Sequence, residues 1–208
     1  MKRHQRVKVS EFRIYYTSFS TPIGRIYLAA TEKGIYRVSW GYGNEKDFVR
    51  ELPMIAMPQK HRQNPPRPSL SPLKGERIKV RGLNFVAAVI KDDGYFTGFK
   101  NDMLKYFSGE PVSFKKYAIF PDGTDFQKKV WKVLSGIPYG KVLTYKQVAE
   151  KIGKPKASRA VGGACGANEL PIIISCHRVV PSSGGLGGFS GGLVLKRQLL
   201  KLEGVKIK

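Results

Sequence analysis

The chain has 208 residues, and 37 Lys and Arg against 15 Asp and Glu give it a formal net charge of +22. This charge indicates a polyanionic partner, either nucleic acid or an anionic membrane surface. The sequence holds no apolar run of about 18 residues, and its basic start lacks the apolar core of a signal peptide. We therefore expect no membrane association and a cytoplasmic, nucleoid-associated protein. The Cys and His residues are scattered without the spacing of a zinc site, so no metal is expected.

The N-terminal part predicts a β-rich domain. Residues 12–40 are rich in aromatic and β-branched residues and carry turn residues at two points, which predicts an antiparallel meander of three strands. Residues 44–52 fit a short amphipathic helix. Residues 83–90 are typical of a strand, and residues 101–109 predict a short helix that stops at Gly109.

Two segments differ from the rest of the chain in composition. Residues 57–82 hold five prolines, seven Lys or Arg and a single acid, Glu76. Such a segment cannot bury enough apolar surface to offset its ordering entropy, so we expect a disordered basic insertion. It is either an inert linker or a non-specific electrostatic arm for DNA, and its composition leaves both open. Residues 182–192 hold six glycines and predict a mobile or ligand-enclosing loop.

From about residue 119 onward the pattern becomes helical. Thr124 or Asp125 can cap a helix over 126–137, whose apolar residues share one face. Thr144 can cap a second helix over 145–153. The break between them falls at a Pro-Tyr-Gly sequence, which is typical of a turn.

A third helix in this part, over 158–168, starts at Ala157 or Ser158. Together with 145–153 it predicts a helix-turn-helix. Its many small residues let another backbone approach closely, and that backbone is either DNA or a neighbouring helix. The last helix, over 193–204, carries five leucines for burial. They are Leu193, Leu195, Leu199, Leu200 and Leu202.

The segment 171–180, PIIISCHRVV, brings reactive residue types together. Its β-branched residues predict a buried extended chain that delivers Cys176, His177 and Arg178. A cysteine is a strong nucleophile only as thiolate, which a neighbouring base or cation favours. A buried structural cysteine beside a surface His and Arg is the alternative. Glu203 ends the last helix, where the macrodipole disfavours a carboxylate, so it is either a solvated charge or the group that orients His177.

The C-terminal part resembles a known family. From FQKKVWKVLSGIPYGKVLTYKQVAEKIG through ASRAVGGACGAN to PIIISCHRVVPSSGG, the chain resembles the C-terminal domain of the O6-alkylguanine-DNA alkyltransferases. The likeness covers about residues 119–205, and the upstream TPIG and NDMLKYFSGEPVSF also look like family features. It implies an α+β fold with an N-terminal antiparallel-sheet, ribonuclease-H-like domain over 1–118. The C-terminal domain, over 119–208, would be helical and carry the helix-turn-helix and the active-site cysteine.

The resemblance also implies a function. It is DNA repair by irreversible transfer of a methyl or alkyl group from O6-alkylguanine, and also from O4-methylthymine, to Cys176. The partner is double-stranded DNA, from which the base is flipped out through a minor-groove helix-turn-helix. A monomer that turns over once and needs no cofactor is expected. Two other classes stay open: a protein that binds alkylguanine without repairing it, and a regulator in which Cys176 senses alkylation or oxidation.

The functional residues of the family carry over by position. By resemblance, the catalytic residues are Cys176, His177, Glu203 and Tyr145. The pocket for the flipped base would be formed by Val179, Phe189, Ser190 and Asn168. The DNA contacts would come from Arg159, Thr144, Lys156, Ala157 and Gly162. The chain departs from the family at Ser175, where relatives carry proline, and at Phe189, where many carry tyrosine.

Overall fold

The computed structural model describes residues 10–41, 43–55, 77–79 and 85–206. An N-terminal part built on a five-stranded sheet is followed by a C-terminal part made mostly of helices. This is the predicted α+β fold. The proposed domain boundary between residues 118 and 119 stays a prediction, because one apolar core runs across it.

The predicted three-stranded meander is confirmed. Strands β1 (Ser10–Thr21), β2 (Gly24–Thr31) and β3 (Gly34–Trp40) pair antiparallel in chain order. Gly34 opens β3 with φ +125°, and a Cβ there would lie 2.4 Å from the carbonyl oxygen of Ala118. Only glycine fits both the backbone angle and this close approach, which joins the start of β3 to the chain just before the helical part.

The rest of the sheet was predicted only in part. Helix α1 (Glu45–Ile55) follows β3, and strands β4 (Arg77–Lys79) and β5 (Phe85–Lys91) complete the order β3-β2-β1-β5-β4. Strand β5 runs parallel to β1 and antiparallel to β4, so the sheet contains a parallel pair that the strand patterns did not indicate. Strand β4 lies inside the segment 57–82 predicted to be disordered, and most of that segment lies outside the described residues.

Helix α2 (Thr97–Phe107) belongs to the N-terminal part and ends before Gly109 as predicted. The helices and short strands that follow are α3 (Asp125–Leu134), β6 (Leu143–Thr144), α4 (Tyr145–Lys151), α5 (Ser158–Gly166), β7 (Val179–Val180) and α6 (Leu193–Leu202). Thr124 and Thr144 each form a complete capping box, with Gln127 and Gln147. The two boxes fix where α3 and α4 begin, and α4 with α5 forms the predicted helix-turn-helix.

Two local predictions are wrong. The run Ile172–Ile174 is buried but is not extended: Pro171 and Ile174 pair across a tight turn, and Ile172 has φ +74°. Backbone of this kind is strained for a β-branched residue, and the turn persists because its side chains are packed in the core. Leu193 is 51% exposed, because it begins α6 on the solvent side.

The main core joins the sheet to the helical part. It packs one face of the β-strands against α2, α3 and α6, with Leu28, Met103, Leu134 and Leu199 each fully buried. A smaller cluster on the other face of the sheet lies under α1. Among the described residues, no helix is long and apolar enough to span a membrane.

Candidate active site

Cys176 lies in a short 3₁₀ turn formed by Cys176–Arg178, between the turn at Ile172–Ile174 and β7. Asn168, just beyond α5, holds this segment in place. Its side-chain amide donates to the carbonyl oxygen of Ile174 at 2.8 Å and to Sγ of Cys176 at 3.0 Å. Its side-chain oxygen accepts the amide of Leu170 at 2.9 Å. The residue therefore connects the end of the helix-turn-helix to the thiol.

His177 and Glu203 form a buried pair behind the thiol. Nε2 of His177 lies 2.7 Å from Oε1 of Glu203, and both side chains are completely buried. Burial lowers the pKa of His177, although the Glu203 carboxylate works in the opposite direction. The imidazole is therefore neutral near pH 7, with Nε2–H donating to the carboxylate and a lone pair on Nδ1. Nδ1 has no hydrogen-bond partner among the described residues.

Glu203 is held ionised by several donors. Nε and Nη2 of Arg178 donate to its two oxygens at 2.8 and 2.9 Å, and the hydroxyl of Tyr106 donates at 2.7 Å. The amide of Gly140 adds a bond of 3.2 Å. Burial alone would raise the pKa of Glu203, but the hydrogen bonds from His177 and Arg178 bring it down to about 2. A carboxylate that accepts this many hydrogen bonds is a fixed negative charge.

The Cys176 thiol rests in its protonated form. It is 3% exposed, and burial raises its pKa against the opposing effects of the Asn168 amide and the Lys196 ammonium. A protonated thiol needs a base to become a nucleophile. The unprotonated Nδ1 of the neutral His177 can act as such a base, and Glu203 fixes the ring that carries it. This is the order of nucleophile, base and orienting group seen in catalytic triads.

Sequence reasoning missed two residues of this centre. Tyr106 comes from α2 in the N-terminal part, and its hydroxyl contacts Glu203 and also lies 3.4 Å from Nε2 of His177. Lys196 is completely buried on α6, and Nζ donates to the carbonyl oxygen of Val179 at 2.6 Å and to that of Gly188 at 3.3 Å. The available signal was helical spacing, because Lys196 shares a face with Leu200 and Glu203.

A cavity of about 420 Å³ opens beside the thiol. This size is within the ~300–1,000 Å³ typical of small-molecule sites. Six of the predicted site residues line it: Tyr145, Arg159, Gly162, Cys176, Phe189 and Ser190. The second cysteine, Cys165 on α5, also lines it, and it was not predicted to belong to the site. Helix α5 therefore forms one wall of the cavity that holds the reactive cysteine.

The other predicted site residues lie around this cavity rather than in its wall. Val179 is fully buried, and its carbonyl oxygen already accepts from Lys196, which leaves one lone pair for a ligand. Thr144 is the N-cap of α4, and its hydroxyl accepts the amide of Gln147. Lys156 is exposed and Ala157 half-buried in the turn before α5. None of these four residues is among those that line the cavity.

Tyr145 joins the first turn of α4 to residues 182–192, the glycine-rich loop. Its hydroxyl donates to the carbonyl oxygen of Gly188 at 3.4 Å. Burial, together with the nearby thiols of Cys165 and Cys176, raises its pKa to about 12. The phenol therefore remains protonated near neutral pH and is a proton or hydrogen-bond donor toward the cavity. Among the described residues, no group of His, Cys, Asp and Glu is arranged to hold a metal ion.

The fold and this site define a helix-turn-helix protein with a buried cysteine next to a hydrogen-bonded histidine and glutamate. Residues 125–205 match the family model "6-O-methylguanine DNA methyltransferase, DNA binding domain", and residues 14–64 match the ribonuclease-like domain of the same enzymes. The methylated-DNA–protein-cysteine methyltransferase of Methanosarcina barkeri is 38% identical over 190 residues, which cover 91% of this chain and 97% of that protein. The chain belongs to this family of methyltransferases.

Solved structures agree with that assignment. The O6-methylguanine methyltransferase of Mycobacterium tuberculosis is 32% identical, with a TM-score of 0.66 over 91% of this chain and 92% of that one. A structure of the M. tuberculosis protein in complex with DNA is 31% identical, with a TM-score of 0.65 and the same coverage. The likeness extends over both parts of the chain, including the sheet that lies outside the helix-turn-helix.

Proposed function

We propose that this chain repairs O6-alkylguanine in double-stranded DNA by transferring the alkyl group to Cys176. The observation that carries the proposal is the buried series of Cys176, His177 and Glu203 at a cavity whose wall includes the helix-turn-helix. The related enzymes are named for transfer of a methyl group from DNA to a protein cysteine, and a relative has been solved with DNA. A nucleic-acid partner also agrees with the net charge of +22.

The chemistry needs one deprotonation and one displacement. Nδ1 of His177 takes the thiol proton, by resemblance through a water, and the charge of Glu203 stabilises the imidazolium that forms. The thiolate of Cys176 attacks the O6-alkyl carbon in line, so that a C–S bond forms and the C–O6 bond breaks. The electron pair of that bond leaves with guanine, which gains a proton, and Tyr145 lies at the cavity as the donor. The thioether is stable, so each molecule acts once.

The DNA-binding roles follow from the places of the remaining residues. Arg159, on the first turn of α5, is exposed and lines the cavity, where it can fill the stack left by a flipped base. Gly162 lies one turn further along the same helix and permits close contact with the minor groove. Thr144, Lys156 and Ala157 would contact the DNA backbone. We place the protein at nucleoid DNA on the same grounds.

The test is intact-mass spectrometry after mixing the protein with a duplex that contains one O6-methylguanine. We expect the mass to rise by one methylene, with the methyl group mapped to Cys176. Cys176→Ala should give no change, whereas Cys165→Ala, which removes the other buried cysteine, should still be methylated. Selective binding of the lesion without a mass change would instead identify a non-enzymatic lesion binder.

A further inference from the structure

Strand β3 ends beside the cavity. The ring of Trp40, its last residue, stacks on the ring of Phe189 with centroids 6.4 Å apart and an interplanar angle of 20°. Gly191 lies against the same indole: a Cβ at this position would be 2.6 Å from Cζ2 of Trp40 and 2.9 Å from its Nε1. The glycine-rich loop is therefore seated directly on a residue of the N-terminal part.

The same strand also contacts the segment on the other side of the thiol. The amide of Val38 donates to the carbonyl oxygen of Glu169 at 2.9 Å, and Arg37 forms an ion pair of 3.4 Å with the Glu169 carboxylate. Glu169 directly follows Asn168, whose amide contacts Sγ of Cys176. Strand β3 thus contacts both chain segments that lie next to the reactive sulfur.

The glycine-rich loop depends on contacts with neighbouring residues for its position. Six of the eleven residues 182–192 are glycine, and a chain of this composition has little stiffness of its own. Its observed anchors are the Trp40 stack, the bonds that Gly188 accepts from Tyr145 and Lys196, and the buried side chain of Leu186. Phe189 and Ser190, which line the cavity, lie between Gly188 and the Trp40 contact at Gly191.

We propose that Trp40 is a positioning residue that holds the loop against the cavity and so limits the size of the alkyl group that the site accepts. The proposal rests on the alkyl transfer argued above. Trp40 itself is not part of the cavity wall and acts through Phe189 and Gly191. With the stack in place, the wall lies close to Cys176 and favours a methyl group. Without it, the loop moves outward, which misaligns a small substrate and admits a larger one.

The test compares methyl and benzyl transfer from matched O6-methylguanine and O6-benzylguanine duplexes. For Trp40→Ala we expect the second-order rate of methyl transfer to fall about tenfold, in line with loss of an aromatic contact. We expect the benzyl-to-methyl rate ratio to rise about threefold or more, because the wider cavity favours the larger group. Affinity for undamaged duplex should not change, and Trp40→Phe, which keeps a flat ring, should restore both rates.

Tyr95→Ala is the matched control. Tyr95 stacks on Tyr15 with centroids 4.6 Å apart in the same N-terminal part and is 48% exposed, but it does not line the cavity. Its removal should leave the benzyl-to-methyl ratio unchanged. A ratio that changes equally in both variants would mean that loss of any aromatic pair loosens the fold, which would overturn a specific role for Trp40.

Gly191→Ala tests the same proposal independently of Trp40→Ala. The added methyl group overlaps the indole of Trp40, so this variant should also lower the methyl rate and raise the ratio. In the double variant with Trp40→Ala the overlap with the indole is gone and only the 2.9 Å approach to Cε1 of Phe189 remains, so the two effects should combine to much less than their product. Full multiplication of the effects would overturn the proposal.

The outcomes separate this inference from the function on which it rests. Absence of methyl transfer by the unmodified protein contradicts the proposed function itself. Normal transfer by the unmodified protein, with unchanged rates and ratio in Trp40→Ala, overturns only the role of Trp40. Should Trp40→Ala fail to fold, Gly191→Ala decides alone, and an unchanged ratio there overturns the inference.

Discussion

Glu203 lies at a helix end that disfavours a carboxylate, and the residues around it explain why it is there. A carboxylate at the C-terminal end of a helix meets the negative end of the macrodipole. In this molecule Glu203 faces inward, where Arg178, His177 and Tyr106 contact its oxygens. Those contacts hold its pKa at about 2 although burial acts to raise it. The conflict with the dipole was therefore the sequence signal of a carboxylate that is buried with its own hydrogen-bond donors.

Lys196 is a further buried charge of the site, besides Glu203 and Arg178, and should influence the thiol. Lys196→Met keeps the length of the side chain but removes the positive charge that lowers the pKa of Cys176 and the bonds to Val179 and Gly188. We expect methyl transfer to slow by about tenfold or more, since charge-assisted hydrogen bonds contribute ~1.5–3 kcal/mol. Alkylation of Cys176 by iodoacetamide, followed against pH, should show the thiol titrating at higher pH.

Lys201→Met is the control for that prediction. Lys201 lies on the same helix but is exposed in its last turn. Its replacement should leave the titration of Cys176 and the transfer rate unchanged. An identical loss of activity in both variants would show that Lys196 acts only through the general charge of the protein and not through its buried contacts.

Ser175 stands where the family carries proline, and its backbone already suits that residue. Its φ is −73°, close to the angle that proline fixes, and among the described residues its amide donates no hydrogen bond. The hydroxyl donates to the carbonyl oxygen of Ile172 at 3.2 Å. For Ser175→Pro, the ~0.4–1 kcal/mol gained by stiffening the unfolded chain should offset the ~0.5–1.5 kcal/mol lost with that bond. Urea unfolding should show a near-neutral change, with methyl transfer retained.

Ser175→Ala separates the two contributions. It removes the hydroxyl without adding the ring, so it should lower the free energy of unfolding by about 1 kcal/mol. A proline variant less stable than the alanine variant would contradict the argument, because it would mean that the backbone around Ser175 does not accept proline. In that case the serine would be required by the turn that holds Ile172.

At the scale of elements, the two capping boxes provide a matched pair. Thr124 begins α3 and Thr144 begins α4, and each accepts the amide of a glutamine three residues later. Replacing either threonine by alanine should lower the free energy of unfolding by about 1 kcal/mol. If Thr144 also contacts DNA, only Thr144→Ala should weaken duplex binding beyond what its loss of stability explains. Binding measured by fluorescence anisotropy, with Thr124→Ala as control, decides between a structural and a combined role.

The elements differ in how far the sequence predicted them. The starts of α3 and α4 were predictable because the caps are local. The parallel pairing of β5 with β1 was not, because a strand pattern gives its buried face and not the direction of its partner. The turn at Ile172–Ile174 was predicted as extended chain, since its strained φ is imposed by packing. Tyr106 and Lys196 were missed because only tertiary contacts bring them to the thiol.

At the scale of the whole molecule, the buried network should make the protein sensitive to acid. The pKa of His177 is lowered from 6.5 and that of Glu203 from 4.5 to about 2. In both cases the unfolded chain binds a proton more readily than the folded one, so stability falls as pH falls. The loss should begin below pH 6.5 through His177 and continue from 4.5 toward about 2 through Glu203. The unfolding temperature, measured at a series of pH values, should show this loss of stability.

Glu203→Gln should be less stable than the parent at neutral pH and should lose the contribution of Glu203 to the acid transition below pH 4.5, while Glu45 and Asp102, whose pKa values are also lowered, keep theirs. Glu110→Gln changes an exposed carboxylate and should follow the parent curve. A Glu203→Gln curve parallel to the parent down to low pH would contradict the assignment, because the acid transition would then arise from other groups.

The basic segment 57–82 carries seven Lys or Arg, and of this segment the structure describes only β4. The basic segment 57–82 leads into β4, which is the sheet edge opposite β3, and β3 is the strand that contacts the active-site loop. Four strand spacings place that edge roughly 19 Å from β3, about twice the ~8–10 Å over which exposed charges act at physiological salt. From the position of β4, the one described part of the segment, we predict that the segment is an inert linker with respect to DNA. Replacing residues 57–76 by a short Gly-Ser linker, which keeps β4, should leave the transfer rate and the salt dependence of duplex binding unchanged.

Lys156→Ala, at the proposed DNA face, should reduce the slope of log affinity against log salt by about 0.9. A reduction of several times that amount in the linker variant would show that the segment folds back onto DNA as an electrostatic arm.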